Sequence, residues 1–502
     1  MPEGGAFFNW SGTGGAGKTV CLHTCAYALC RSAESRGVPH PKKFAKVYAP
    51  TGTAGRKAGG LTNHSGWKLP LMGYHHTDDL SDVRRGQLQA ELLYTWFLLF
   101  DEKSMMGLNQ VGAIDTRADD AFPDSVGRSE GLFDPFRDGR FAELPPRPEL
   151  AEAPKRMGLR KFAAVVFIGD LGQLPPVFDS TWYAQDAKVT TRLARRGRGV
   201  LESIDFSVTL NENMRQAGAD AFADLCWRAH EGEFIAADWP TLNQRALPYL
   251  PAGSAEPFST ALQLHARNKT ATASNMRNFC EGVALGDRPG GIPRGALVKA
   301  VHNHVEGKKA TSEVAGGLMS QMWYGVNAPM MLTTNLWTKG GLTNGLRGKL
   351  HDLVCIASPW AALPACVIMR VDHVYDDAAG EWRSPVSIPC CLPHLSAGEN
   401  CTFVPIPAVE RTWWSSGLKR EITRKMIPLV MSWAITIHKA QGATLERVLL
   451  SVGADERHLG TFFTAISRVR ALEHLALDEP MHQERLLKIN RHKALPHRKR
   501  IV

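Results

Sequence analysis

The sequence is short of several things. No apolar run among its 502 residues is long enough to cross a bilayer as a helix, so a helical membrane protein is not expected. Its ten cysteines are scattered, without the even rhythm of a secreted disulfide scaffold, and Cys21, Cys25 and Cys30 are spaced for a buried helix face. Cys390, Cys391, His394 and Cys401 match no standard zinc spacing; a loop with buried thiols is the ordinary reading and a metal site the alternative. No repeat of solenoid length is visible. The opening MPEGGAFFNW lacks the basic segment and long apolar stretch of a secretory signal. An intracellular protein is expected, with the nucleus first and the mitochondrion second. Acidic residues are outnumbered, 49 against 59 lysines and arginines, giving a formal charge of +10. That excess suits a polyanionic partner without requiring one.

What is present is α/β patterning on a scale that needs more than one core. Ala6–Trp10, Phe44–Ala49, Tyr94–Phe100, Ala163–Ile168, Ala261–His265, Pro428–Ala434 and Val448–Val452 read as buried parallel strands, with polar or glycine-containing sequence after each. Ligands of such folds gather at those strand ends. Residues 107–161 shift to Asp, Arg, Pro and Gly and read as a surface insertion with little core. From about 342 to 425 short β-like runs appear, such as Lys349–Ile356 and Ala365–Val371. The ending RHKALPHRKRIV reads as an exposed basic tail.

The sharpest local signal is GTGGAGKT, following directly on the first strand. Gly12, Thr13, Gly14, Gly15, Ala16 and Gly17 let the backbone wrap phosphate oxygens, Lys18 supplies a point charge, Thr19 a hydroxyl for Mg2+, and Val20 continues into a helix. A second strand ends in Asp101 and Glu102. The first suits the Mg2+ shell and the second suits a base or water-orienting group beside a terminal phosphate. The run VVFIGDLGQLPPV brings Asp170 and Gln173 to a third strand end, and Pro175 and Pro176 stiffen the exit. An ordinary turn is the competing reading of that third segment.

With FDEKSMM, LNENMRQ, TIHKAQGATL and FTAISRVR in order behind GTGGAGKT, the chain resembles the Pif1 and RecD group of superfamily 1 DNA helicases from about Ala6 to Leu477. The resemblance implies two RecA-like P-loop lobes with parallel sheets and a small SH3-like β domain inserted in the second. It places the first lobe at 1–210, the second at 211–341 and 426–502, and the inserted domain at 342–425. It implies an ATP- and Mg2+-dependent motor on single-stranded DNA and duplex junctions, moving 5′ to 3′ in telomere, recombination or repair work; a monomer is one possible state, which the sequence does not decide.

Residue by residue, the resemblance makes Lys18, Asp101, Glu102, Gln173, Arg215 and Arg468 the catalytic set, with the two arginines reaching the terminal phosphate from the second lobe. Asp170, Gln441 and Gly442 join the nucleotide contacts. Thr51, Thr62, His64 and Ser65, then Thr436, His438 and Lys439, match positions that follow a strand's backbone; their side chains carry no base preference. Trp67 is equally suited to a base stack and to the core. His265 and Asn268 match a further motif without assigned chemistry.

The sequence departs from the group's pattern at four points. Only a short lead precedes Gly12, where the group carries an adenine-reading glutamine. The 107–161 segment is long, Ala440 stands where serine is common, and Lys103 replaces an apolar residue. Two rival readings remain, a strand-binding remnant of a mobile element without turnover and an RNA helicase of the same superfamily.

Overall fold

A computed structural model describes residues 5–70, 80–122, 158–216, 218, 220–284, 295–312, 314–338, 340–355, 363–376, 381–396, 399–415, 418–451, 453 and 458–500. Two compact units account for the chain, one of Met1–Glu256 with Ala440–Val502 and the other of Pro257–Lys439.

The first unit is built on β1 (Ala6–Gly12), β2 (Ala45–Ala49), β3 (Leu61–Thr62), β4 (Phe97–Phe100), β5 (Ala164–Gly169) and β6 (Phe206–Leu210). They form one parallel sheet in the order β3-β2-β4-β5-β1-β6. Strands β4 and β5 are apolar along their length because both faces are covered; all six residues of β5 are buried. Helices α1 (Lys18–Ser35), α2 (Gly52–Lys57), α3 (Asn63–Gly66), α4 (Asp82–Leu92), α5 (Leu108–Ala121), α6 (Arg192–Glu202) and α7 (Asp220–Glu231) connect and flank it. Pairing of Ser11 with Gly169, and of Phe100 with Phe167, brings the carboxyl ends of β1, β4 and β5 to one level. The phosphate loop, the acidic pair and the Asp170 turn all leave the sheet there.

The expectation of little core after Gly107 is corrected for its first part. α5 buries Leu108, Val111, Ile114 and Ala118, and Asp115 on the same helix pairs with Arg196 of α6 at 2.6 Å. Its polar composition concealed the helix because these polar side chains face a charged partner across a close helix contact. That contact needs Gly112 and Gly197: a Cβ on either would stand 2.0 Å from a carbonyl oxygen, of Leu193 and Leu108 respectively. The remainder of the insertion, 123–157, lies outside the described residues.

Trp67 is fully buried, tilted against Tyr48 at 5.5 Å between ring centroids and edge-on to Phe162 at 6.2 Å. The core reading holds and a base stack does not. Trp67→Ala is expected to cost about 3 to 5 kcal/mol of unfolding free energy in this unit, measured by urea denaturation. Unchanged stability with lost DNA affinity would contradict that placement.

The basic ending is also corrected. Helical residues Gln483–Asn490 and Leu495–Arg498 dock on the first unit. Leu495 and Arg498 are buried, Arg498 donates to the carbonyl of His230, and Lys499 pairs with Glu233 at 2.5 Å. The charge run hid two anchoring side chains; Ile501 and Val502 lie outside the described residues.

The second unit is largely antiparallel. Five strands pair in the spatial order Cys401–Pro407, Cys366–Asp372, Arg347–Val354, Pro329–Leu332, Leu429–Met431. A second group pairs Val409–Ser415, Arg420–Met426 and Val301–His302. Tyr324, Met330, Val367, Met369 and Val404 fill the core between them. The single strand expected over Pro428–Ala434 is instead two. Leu429–Met431 joins the antiparallel sheet, whereas Ala434–Thr436 pairs in parallel with Leu262–His265. The intervening Ser432 and Trp433 end one pairing before the other begins, which apolar patterning alone does not register. Among the described residues no group of three or more His, Cys, Asp or Glu side chains is placed to hold a metal ion. Cys390 Sγ instead accepts from the Phe403 amide at 3.2 Å, and Cys401 is buried.

Candidate nucleotide site

The loop from Gly12 to Gly17 ends with Gly17 at φ 75°, the left-handed cap from which α1 starts. Lys18 Nζ turns back into the loop and donates to the carbonyls of Gly12 at 2.8 Å and Thr13 at 2.7 Å. Burial draws the Lys18 pKa down, against the attraction of Asp170, Glu102 and Asp101.

Gly14 marks the centre of the site. A Cβ built there would lie 3.3 Å from Arg468 Nη2, 3.4 Å from Arg215 Nη1 and 3.5 Å from Gln173 Nε2. Three donors from distant parts of the chain therefore converge on one point of the phosphate loop. The cleft around them, about 520 Å3, is also lined by Lys18, Thr19, Asp101, Glu102 and Gly442.

Each group is held by its own supports. Arg215 Nη1 donates to the Ser467 carbonyl at 2.7 Å, and neighbouring Gln216 donates to Val469 O at 2.8 Å, so the Arg215 and Arg468 segments are tied together. Arg468 is fully buried, with Nε on Thr464 O at 2.7 Å and Nη2 on Ser467 Oγ at 2.8 Å. Burial, then repulsion from Arg215, brings its pKa down to about 9 despite Glu102 and Asp170. Two guanidinium groups are thus packed together with too little negative charge around them.

On the acidic side, Glu102 adopts φ 53°, uncommon for a residue other than glycine. Its amide donates to Asp101 Oδ1 at 2.8 Å, and its carboxylate accepts from Gln441 Nε2 at 3.0 Å. Burial and then Glu102 raise the Asp101 pKa, partly offset by the Glu102 amide, Lys18 and a Thr19 hydrogen bond. Gly442, at φ 73°, follows Gln441, and its carbonyl accepts from Lys57 at 2.7 Å.

Lys103, a departure in the sequence, is fully buried. Its ammonium donates to Asn9, to Trp10 O at 2.9 Å and to Ser11 Oγ at 2.7 Å, tying the acidic pair to the strand that feeds the phosphate loop. Burial, with repulsion from Lys18, brings its pKa down to about 7, although Asp170 opposes this.

Asp170 is buried and accepts from the Gly172 amide at 2.9 Å, Gln173 Nε2 at 3.1 Å and His230 Nε2 at 2.7 Å. Burial alone would raise its pKa, but the His230 imidazolium, Lys18 and the Gly172 amide outweigh that and hold it well below the usual carboxylate range.

The sequence-derived strand contacts fall into two sets. Thr51 Oγ1 accepts from the Ala54 amide at 3.2 Å and Thr62 Oγ1 from Ser65 at 3.2 Å, so both hydroxyls cap short helices. His64 is half-buried and Ser65 exposed. Thr436 is buried at the end of its strand, His438 is half-buried and Lys439 exposed, and these three belong to the second unit. His265 ends the strand beside Thr436, and Asn268 opens the following helix. Lys57, Met214, Thr444, Arg470 and His230 were not legible as site residues. Met214, Thr444 and Arg470 had a signal, since each lies within a motif already singled out.

These features define a class: a P-loop α/β protein whose acidic pair, glutamine and arginines line one cleft over Gly14. The particular likeness is to Pif1 helicases, whose fold of two RecA-like lobes this chain shares. Pif1 from Candida albicans superposes with a TM-score of 0.62 at 18% identity, covering 97% of this chain and 95% of that one. Bacteroides Pif1 with ADP-AlF3 and single-stranded DNA superposes at 0.60 and 18% identity, covering 97% and 91%. In sequence, the ATP-dependent DNA helicase PIF1 of Danio rerio is 31% identical over 151 residues, 30% of this chain but 18% of the zebrafish protein. PIF6 of Trypanosoma brucei brucei is 47% identical over 55 residues, 11% of this chain and 7% of that one. No protein-family model matches the chain.

Proposed function

We propose that the chain is an ATP-dependent DNA helicase that moves 5′ to 3′ on single-stranded DNA and opens duplex junctions in genome maintenance. The observation that carries this reading is the meeting of Arg215, Arg468 and Gln173 over Gly14, opposite the acidic pair in the same cleft. The likeness to a Pif1 solved with ADP-AlF3 and single-stranded DNA supports the choice of ligands.

In this reading Lys18 and the loop amides hold the outer phosphates of ATP, and Glu102 takes a proton from water as it attacks the terminal phosphorus. The bond to the bridging oxygen breaks, giving ADP and phosphate, while the two arginines stabilise charge on the transferred group. Thr19 and Asp101 would hold Mg2+. They fit it, because the Thr19 hydroxyl bonds to a buried Asp101 whose repulsion from Glu102 is only partly offset by Lys18, and a divalent ion would supply the missing positive charge. Thr51, Thr62, His64, Ser65, Thr436, His438 and Lys439 would follow the strand's phosphates. The antiparallel sheets of the second unit are read as carrying an SH3-like clamp.

Phosphate release should be measured without nucleic acid, with single-stranded DNA and with RNA of equal sequence, together with unwinding of 5′-tailed and 3′-tailed duplexes. DNA-stimulated turnover and opening of the 5′-tailed duplex are expected. Stimulation by RNA alone would reject the DNA substrate, and preference for the 3′ tail would reject the direction. No turnover under any condition would leave a strand-binding remnant.

A further inference from the structure

His230 is a buried titratable group with no part in the nucleotide chemistry proposed for the site. It sits near the end of α7, in line with the buried Phe222, Leu225, Cys226 and Ala229, yet both ring nitrogens face carboxylates. Nε2 lies 2.7 Å from Asp170 Oδ1, and Nδ1 lies 2.6 Å from Glu231 Oε1. The ring is stacked on Trp227 at 5.6 Å and meets Phe463 edge-on at 4.9 Å. A Cβ at Gly172 would lie 2.1 Å from two atoms of the ring, so the Asp170 turn closes directly on the imidazole. Gly460, which opens the helix bearing Phe463, fits equally closely: a Cβ there would stand 2.3 Å from Gly172 O and 2.7 Å from Gln173 O. The His230 carbonyl accepts from Arg498 of the docked C-terminal helix.

We propose that His230 is a positioning residue, whose imidazolium fixes Asp170 and through it aims Gln173 at the terminal phosphate of the bound nucleotide. Two links carry this. Asp170 gives one carboxylate oxygen to His230 and the Gly172 amide, and the other to Gln173 Nε2. That same Nε2 is one of the three donors converging over Gly14. A neutral side chain at 230 leaves Asp170 buried without its nearest cation. The carboxylate then needs other partners, and the turn that carries Gln173 loses its fixed geometry. The inference rests on the nucleotide reading of the site and adds a pH response to it.

The groups around His230 are Asp170 from the turn after β5, Glu231 from α7 and Arg498 from the C-terminal helix, with Lys18 and Lys499 next along the network. Burial would lower the His230 pKa, but the two carboxylates outweigh it and raise the group to about 9. The imidazolium therefore persists at neutral pH and is lost as pH rises through about 9.

The test uses the full chain, His230→Gln, His230→Arg and Lys18→Ala, with affinity for ADP and for a slowly hydrolysed ATP analogue measured beside turnover from pH 7 to pH 10. His230→Gln is expected to lower kcat by about 10- to 100-fold. It should also narrow the preference for the ATP analogue over ADP while leaving ADP affinity near wild type, and lower the thermal transition because buried Asp170 loses its cation. His230→Arg should restore the preference and reduce the loss above pH 9 to the part due to Arg468, whose pKa is also brought down to about 9, because the new charge at 230 does not titrate there. Wild-type analogue preference in His230→Gln would overturn the proposal. So would an equal loss of ADP affinity, or failure of a folded His230→Arg to recover the preference. Turnover that survives Lys18→Ala would instead reject the nucleotide reading itself, and a wild-type chain that binds neither nucleotide would reject both.

Discussion

Lys18→Ala is expected to lower ATP turnover by on the order of 10³-fold while leaving the fold intact. The scale follows from removing a preorganised donor from a site where charge develops. The intact fold follows from local bonding: the Lys18 ammonium donates to the carbonyls of Gly12 and Thr13, both within its own loop. Removing it takes a cation from a place where burial already disfavours one, so stability without nucleotide should change little. Steady-state phosphate release, the thermal transition and affinity for single-stranded DNA read the three quantities separately. Turnover within about tenfold of wild type would refute the assignment of this loop to the outer phosphates. Lost turnover with lost DNA affinity and a lowered transition would mean that Lys18 supports the fold instead.

Lys18 was legible because its loop is a local feature. GTGGAGKT, the acidic pair and GDLGQLPPV are each short continuous segments behind an apolar strand, and parallel pairing sends them to one sheet end. His230 shows the opposite case. Nothing adjacent to it in sequence identifies Asp170, 60 residues away, as its partner. Its neighbours give α7 an ordinary buried face of Phe222, Leu225, Cys226 and Ala229. Lys103 was visible as a departure, but only the fold discloses that Asn9, Trp10 and Ser11 wait above it with acceptors. The polar helix α5 and the basic C-terminal helix were missed for a shared reason. Composition signals exposure when charges are solvated, whereas Asp115, Arg196 and Arg498 are each held by named partners.

Arg468 and Arg215 came from motifs, and their closeness raises a further expected result. Arg468→Ala should reduce turnover by about three to five powers of ten, the range for a guanidinium that meets the transferred phosphoryl group. Arg468→Lys should not recover it, because one ammonium cannot reproduce the fixed fork that reaches Thr464, Ser467 and the space above Gly14 together. The stability effect should run the other way. Burial and Arg215 already disfavour the charge on Arg468, so its removal at neutral pH relieves repulsion that offsets the lost hydrogen bonds. The thermal transition without nucleotide should therefore be unchanged or raised, while the rise produced by an ATP analogue shrinks. Arg215→Ala should behave similarly, and the double variant should lose much less than the product of the two single losses, because both arginines act on one phosphate position. A lowered transition in Arg468→Ala with turnover near wild type would make this arginine a structural brace. The pair would then be a way of tying the Ser467 segment to Arg215 rather than a device that holds two cations apart until a polyanion enters between them.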